Sequence, residues 1–428
     1  MTEAVSVLTW WRAGRALGPA LLACSLLAAC GGSTPSAPTT PAPTTAVPSP
    51  EPESGGFLHV LQGHSIATYA IDAATGALRP SVTQDVGDAH TLTGEPLGRY
   101  VFAAFGPRGG PPYWDPSIVA YAPDPFSGNL TTLSEASSDP IWCRCCSPVM
   151  RSGEWYWLSA SATRVYGMWL TGTYHDWYHA YVTHAVGNAG QLGPAYVREF
   201  GEWDWGYVTV DVNSDVFYKQ GNTGVTAHFV EPDGSLRQMG ASNVCGVSTL
   251  WEAKPLVAVG AFLFASAYLG WANLAICSWE GPRLAPRARL ALNSEYHGYA
   301  VALAPVDASG ASSSPAATRG PTLVAMRTTD NYHTRYEIRL FAMRDGDLLP
   351  LDTVESECAK RMLFHPSGRF LYVSHAGYCS SNPPESLSVY SIDAQGHLEF
   401  VETVENGGGA MAVTTPPQVR ASTGPTTD

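Results

Sequence analysis

The stretch that decides the fold is His365-Pro-Ser-Gly-Arg-Phe-Leu-Tyr-Val-Ser374, which joins a tight turn directly to an alternating strand. A second strand follows, Leu387-Ser-Val-Tyr-Ser-Ile-Asp393, and a polar turn containing Gly396 then leads to Leu398. Glycine suits such a turn because it tolerates a positive φ, and alternation gives each strand two distinct faces. The stretch therefore predicts a unit of antiparallel strands.

The same signature recurs along the chain: an alternating strand, a polar turn ending in glycine, and a leucine that opens the next strand. The glycines of the successive signatures are Gly76, Gly128, Gly190, Gly234, Gly281, Gly346 and Gly396. A repeat of about 40 to 50 residues in an all-strand chain is typical of propeller blades with four strands each. The sequence thus predicts an all-β, seven-bladed propeller.

The first blade is one strand short at its beginning. Only Phe57–Leu61 precedes the first signature, whereas Gly409–Thr414 follows the seventh blade without a sheet of its own. We expect this C-terminal strand to become the inner strand of the first blade. Closing the ring in this way removes exposed sheet edges.

The turn and strands at His365–Ser374, with Leu387–Leu398 after them, resemble the lactonase-type seven-bladed propellers, a family that includes 6-phosphogluconolactonase and muconate-lactonizing-like proteins. The resemblance implies the propeller fold and, as an activity, the opening of a lactone ring. Members tend to follow the second strand with Asn-Arg or Asn-Tyr. This chain has His375-Ala376 and Phe105-Gly106 at those places, so no catalytic residue is carried over from the family.

The N-terminus predicts export and lipidation. Arg12 and Arg15 precede an apolar run that is too short to span a bilayer, and the run ends in Leu27-Ala-Ala-Cys-Gly31, which resembles a bacterial lipobox. Cys30 is the predicted lipidated residue, with Cys24 as a rival and an ordinary cleaved signal as the alternative. Gly31 is not the Asp that marks inner-membrane retention, so we expect the outer membrane if the cell has one.

The domain boundaries follow from these features. Residues 1–29 are predicted to be the signal peptide, 30–56 a lipidated Ser/Thr/Pro-rich tether, 57–414 the propeller and 415–428 a disordered tail. The 24 basic against 37 acidic residues give a net charge of −13, which argues against a nucleic acid partner. We expect a monomer that meets a membrane through its anchor, and we predict no cofactor.

The segment Leu256–Trp279 has no charged residue and is long enough to be considered a transmembrane segment. It reads equally well as two buried strands, and its place in the repeat favours the strands. A separate stretch, Pro305–Gly320, is rich in Ser, Ala and Pro and is predicted to be a loop insertion.

The predicted binding surface is the blade end with irregular loops, because the Gly-containing turns at the other end are regular. Side chains in these loops or at the entries to the inner strands could act as general bases or bind a ligand. The candidates are His64, His90, Arg108, Asp115, His175, Asp176, Trp177, His297, His333, Arg335, Lys360 and His375. The alternative is that these are ordinary polar loop residues. Spacing supports no metal site.

Tryptophans are concentrated in the third and fourth predicted blades. Trp177 and Trp114 are candidates for an exposed sugar or peptide platform, presented in part by a predicted long loop, Ser161–Trp177, while packing between blades accounts for the cluster as a whole.

The seven cysteines other than Cys24 and Cys30 are expected to form disulfides in an exported protein, and their odd number leaves one of them free. We predict the pairs Cys358–Cys379 and Cys245–Cys277, and we favour disulfides over a soft metal site for Trp142-Cys-Arg-Cys-Cys146.

Two functions fit these observations. The first is a binding or scaffold module at the cell envelope that recognises a glycan or a protein through its irregular loops. The second is a lactone hydrolase that uses channel histidines, so enzymatic activity stays an open question.

Overall fold

The structure, a computed structural model, describes residues 54–106, 116–137, 151–172, 177–200, 208–211, 215–221, 224–239, 254–259, 262–268, 272–280, 283–291, 297–303, 322–329, 335–344, 347–357, 359–375 and 385–415. For parts of these ranges only the backbone is described. The predicted signal peptide, the tether up to Glu53, Cys30, the insertion Pro305–Gly320 and the tail after Thr415 lie outside the described residues.

The described residues form 28 β-strands in seven four-stranded antiparallel sheets. Each sheet is a blade, and its strands are given from the inner to the outer edge. The first three blades contain β28 (Met411–Thr414), β1 (Ser54–Gln62), β2 (Ser65–Asp72) and β3 (Leu78–Asp85); β4 (Ala89–Gly94), β5 (Val101–Phe105), β6 (Ser117–Pro123) and β7 (Leu130–Ser137); and β8 (Arg151–Ala160), β9 (Arg164–Gly172), β10 (Trp177–Val186) and β11 (Leu192–Phe200).

The fourth and fifth blades contain β12 (Val208–Asp211), β13 (Val216–Gly221), β14 (Gly224–Val230) and β15 (Leu236–Gln238); and β16 (Lys254–Val259), β17 (Phe262–Tyr268), β18 (Ala272–Glu280) and β19 (Arg283–Ala291). The sixth and seventh contain β20 (His297–Leu303), β21 (Thr322–Thr329), β22 (Tyr336–Arg344) and β23 (Asp347–Ser356); and β24 (Ala359–Phe364), β25 (Phe370–His375), β26 (Ser386–Ile392) and β27 (Leu398–Glu405).

The inner strands form a closed circle. β28 contacts β4, and contacts continue through β8, β12, β16, β20 and β24, which in turn contacts β28. The sheets therefore stand around a central channel as the blades of a propeller. One sheet corresponds to each glycine-containing signature in the sequence.

Burial along the strands shows how the blades are held together. β5 and β25 are buried at every position, whereas the outer strands β3, β7 and β27 are exposed or half-buried at every position after their first. Apolar residues of neighbouring blades form shared clusters, such as Leu58, Val60 and Tyr69 of the first blade with Tyr372 and Val389 of the seventh. Burial of this apolar area between blades is the main stabilising contribution.

The C-terminal strand completes the first blade, as the sequence predicted. β1 pairs with β28 in the register Phe57↔Thr414 to Val60↔Met411. His59 strengthens this contact from a fully buried position, because its Nδ1 lies 3.0 Å from Thr68 Oγ1 and its Nε2 lies 2.9 Å from Thr414 Oγ1. The imidazole thus joins three strands of one blade.

Two predicted segments differ from what the structure shows. The predicted loop Ser161–Trp177 contains a complete strand, β9, and Trp177 is the first residue of β10. The uncharged segment Leu256–Trp279 contributes to three strands of the fifth blade, β16, β17 and β18, where we expected two. Among the described residues, no helix is long and apolar enough to cross a membrane.

Candidate functional site

The blade ends define two different surfaces. We call one the turn face; it carries the tight turns at Gly76, Gly98, Gly128 and Gly368. The loop face is the opposite end, with the connections from the second to the third strand of each blade and the entries to the inner strands. Both ends of the described propeller lie on the turn face, since β1 starts there and Thr415 N donates to Gly98 O at 3.2 Å.

Polar groups on the turn face are largely used within the turns. Asp72 accepts from the backbone N–H groups of Ala74 and Thr75, and Asp124 and Asp393 cap their own turns in the same way. These hydrogen bonds stabilise the ionised form and lower the pKa of all three carboxyl groups. The turn face is therefore built for structure, which leaves the loop face as the candidate binding surface.

His64 and Asp88 form an exposed pair on the loop face. His64 lies in the connection between β1 and β2, and Asp88 lies just before β4. Their Nδ1 and Oδ1 atoms are 2.6 Å apart, and both side chains are about four-fifths exposed, at 76% and 80%. The backbone holds the two segments together, because Val86 N and Gly87 N both donate to His64 O.

His90 lies between the second and third blades. Its ring stacks on Trp169 with the ring centroids 6.4 Å apart, and its Nδ1 accepts from Trp155 N at 3.3 Å. Because Nδ1 accepts, the neutral imidazole carries its proton on Nε2. Gly106 makes room for this ring, since a Cβ there would stand 2.6 Å from His90 Nε2.

The two tryptophans beside His90 are core residues. Trp155 and Trp169 are 3% and 2% exposed, pack edge to face with ring centroids 5.4 Å apart, and Trp155 Nε1 donates to Phe105 O at 2.8 Å. Packing between blades is thus the role of these two. The side chain of Trp177 and the whole of Trp114 lie outside what the structure describes.

Arg361 is a channel residue that the sequence interpretation did not single out. It lies on the inner strand β24 of the seventh blade, and its Nη1 donates to Thr91 Oγ1 at 3.2 Å on the inner strand β4 of the second blade. The inner strand of the first blade lies between these two in the circle. The guanidinium therefore passes on the axis side of β28, inside the channel.

His375 is enclosed within the seventh blade. It is the last residue of β25 and is 0% exposed, and its Nε2 lies 2.9 Å from Ser388 Oγ, which is itself 3.2 Å from Thr403 Oγ1. The side chain thus joins hydroxyl groups of the two outer strands. It is a strand residue rather than the loop residue that we expected.

Three further candidates, Arg335, Lys360 and His297, lie in described parts of the loop face. Arg335 contacts Glu337 at 3.5 Å and Glu355 at 2.8 Å on the outer part of the sixth blade, and Lys360 is exposed on β24. His297 is the first residue of β20, where the backbone alone is described. Arg108, Asp115, His175, Asp176 and His333 lie outside the described residues.

Several histidines missed by the sequence interpretation are buried. Burial lowers the pKa of His59 to about 3, and it also lowers the pKa of His184 and His365. The sequence did carry a signal of their burial, because His59 and His184 stand within alternating strands. These histidines hold the fold together rather than meeting a ligand.

Cysteine pairing is described at one position. Cys277 is buried on β18 and is disulfide-bonded. Its predicted partner Cys245 lies outside the described residues, as do Cys358 and Cys379, so both pairings stay predictions.

The comparisons with known proteins concern the fold. No family model and no curated protein matches the chain. Among solved structures, the chain is similar to a putative 6-phosphogluconolactonase from Bacteroides uniformis, with a TM-score of 0.57 and 12% identity over 85% of this chain and 100% of that one. It is also similar to a protein from Lactobacillus plantarum, with a TM-score of 0.55 and 11% identity over 84% and 98%.

The class defined by these findings is an all-β propeller with four-stranded blades. Its fold is similar to that of the structure described as a putative 6-phosphogluconolactonase. At 11% and 12% identity the likeness concerns the fold alone, and a shared fold does not establish a shared reaction.

Proposed function

We propose that the chain is an exported, lipid-anchored propeller of the cell envelope that binds a ligand through its loop face. The observation that favours binding over hydrolysis is the burial of His375. A general base must come within hydrogen-bond reach of the proton that it removes. An imidazole enclosed between the strands of one blade does not meet a substrate in the channel.

The proposed ligand is a glycan or another envelope protein. Composition supports this choice, because tryptophans are concentrated in the third and fourth blades, and aromatic side chains are frequent in sugar and protein recognition. Trp177 is the proposed contact, since β10 begins at the loop face with this residue.

A glycan array probed with the full-length protein tests the binding function. We expect retained glycans in the wild type, a loss of at least about tenfold in Trp177→Ala, and no change in His397→Ala, which alters an exposed turn-face residue. An array that retains nothing, followed by no captured envelope protein, contradicts the proposal.

Lactone hydrolysis is the second candidate. It is favoured by the similarity to a solved structure described as a putative 6-phosphogluconolactonase. Acid release from a panel of sugar, aryl and acyl lactones tests it. Turnover that His375→Ala abolishes without lowering the melting temperature assigns a hydrolase, whereas no turnover by folded wild type leaves the binding function.

The lipid anchor has its own test. Growth with radioactive palmitate should label the wild type and Cys24→Ala but not Cys30→Ala. An unlabelled wild type removes the anchor from the proposal, and label lost only in Cys24→Ala moves it to the rival lipobox.

A further inference from the structure

The arginines of the propeller differ in how their charge is balanced. Ion pairs with carboxylates are formed by Arg79, Arg99, Arg237, Arg335 and Arg339. Within the described part of the chain, Arg361 has no carboxylate partner, and its hydrogen bond goes to the neutral hydroxyl of Thr91. The guanidinium of Arg361 is therefore not neutralised by any described side chain.

An enclosed, unpaired guanidinium is unfavourable. Moving a charge away from water without a counter-charge is strongly unfavourable, and a guanidinium does not lose its proton in proteins. Burial lowers the pKa of Arg361, although the side chain keeps part of its surface accessible. Partial burial together with partial accessibility fits a side chain in a water-filled channel, where protein surrounds the guanidinium but a small molecule can still reach it.

The hydrogen-bonding groups at this place suit an anion. A guanidinium has five N–H donors in a planar fork that matches carboxylate and phosphate oxygens, and one of them is used by Thr91. Thr91 is buried, and it fixes the guanidinium by accepting this bond with its oxygen. The two side chains come from β24 and β4, whose backbones the sheets fix, which keeps the guanidinium in place.

We propose that Arg361, positioned by Thr91, forms an anion-binding site in the channel that holds a carboxylate or phosphate group of a small ligand entering from the loop face. The inference rests on the proposed binding function and specifies the charge of the ligand. It gives the ligand an anionic group although the protein has a net charge of −13.

Calorimetric titration of the full-length protein with inorganic phosphate, with succinate and with glucose tests the site. We expect both anions to bind and glucose not to bind. Arg361→Gln should weaken anion binding at least about tenfold, as loss of a charge-assisted contact does. Arg369→Gln is the matched control, because this arginine lies on the turn face and donates to Ala73 O and Ala74 O.

A second variant and a labelling experiment guard against a folding defect in Arg361→Gln. Thr91→Val removes the acceptor of the guanidinium but keeps the cation, so anion binding should weaken less than in Arg361→Gln. In the wild type, phenylglyoxal should modify Arg361, and phosphate should slow that reaction. No modification of Arg361, or modification that phosphate does not slow, overturns the site.

The outcomes separate the two proposals. Anion binding that is absent in the wild type, or equal in Arg361→Gln, overturns the anion site only. If Trp177-dependent glycan binding persists in that case, the binding function stands and the ligand is uncharged.

Discussion

At the scale of single residues, His59 links stability to pH. The imidazole is fully buried between Thr68 and Thr414, and burial lowers its pKa to about 3. A neutral imidazole satisfies both contacts, because one ring nitrogen donates and the other accepts. In the unfolded chain the same group titrates near its ordinary value of about 6.5.

The folded state consequently binds fewer protons than the unfolded state below about pH 6.5. We expect the contribution of His59 to be complete above that pH and to be lost as the pH falls toward 3, at about 1.4 kcal/mol per pH unit. Chemical denaturation between pH 4 and 8 measures it. His59→Gln should give a flatter pH dependence than the wild type, whereas His64→Gln, which changes an exposed histidine, should keep the wild-type slope.

Two glycines allow backbone strain to be separated from overpacking. Gly76 and Gly63 both have a positive φ, at 76° and 57°. A Cβ at Gly76 would stand 2.4 Å from the Phe370 ring of the neighbouring blade, while a Cβ at Gly63 meets nothing within 4 Å. We expect Gly63→Ala to lower the free energy of unfolding by about 1 kcal/mol and Gly76→Ala by about 1 to 3 kcal/mol more. Equal losses of the free energy of unfolding in urea titrations of the two variants would show that the Phe370 ring moves aside.

At the scale of strands, prediction from the sequence worked where turn and strand signals agreed. β2 and β26 were predicted because each is an alternating strand followed by an Asp-capped glycine turn. β9 was missed, since we predicted a loop over Ser161–Trp177. In the structure Gly167 lies inside the strand, where the Trp155 ring takes the space of a side chain, 2.3 Å from an added Cβ. A tertiary contact of this kind has no local signal.

The pairing of β28 with β1 predicts the effect of truncation. Deleting residues 408–428 removes the inner strand of the first blade and one partner of His59, which leaves the inner edge of β1 unpaired. We expect that variant to lose its cooperative thermal transition in circular dichroism. Deleting 416–428 alone should leave the melting temperature unchanged, and a transition that survives the longer deletion would contradict closure by this strand.

At the scale of the whole molecule, the predicted architecture followed from the repeat, but the site did not. Arg361 and Thr91 are separated by 270 positions, and only the closed circle of inner strands brings them together. His375 was predicted to face the channel because its neighbourhood looks like a loop, and it proves to be a buried strand residue. Which face of a blade a polar residue occupies depends on strand ends and bulges, such as the bulge between Ala359 and Arg361, which periodicity alone does not locate.

Closure of the circle also predicts tolerance to circular permutation. Gly56 lies against Thr414, so a short Gly/Ser linker can join the two ends. A permutant joined there and opened within residues 305–320 keeps the pairs within every described blade. We expect one unfolding transition with a melting temperature within about 5 °C of the wild type. A permutant that is unfolded would mean that the order of strand synthesis matters for folding.

The positions of the chain ends decide which face of the propeller is left open to a ligand. Polypeptide enters at Ser54 and leaves after Thr415 on the same side, next to the turn at Gly98. The loop face, which carries His64, is at the opposite end of the blades from both of these points. A molecule that binds there therefore approaches from the side away from Ser54 and Thr415.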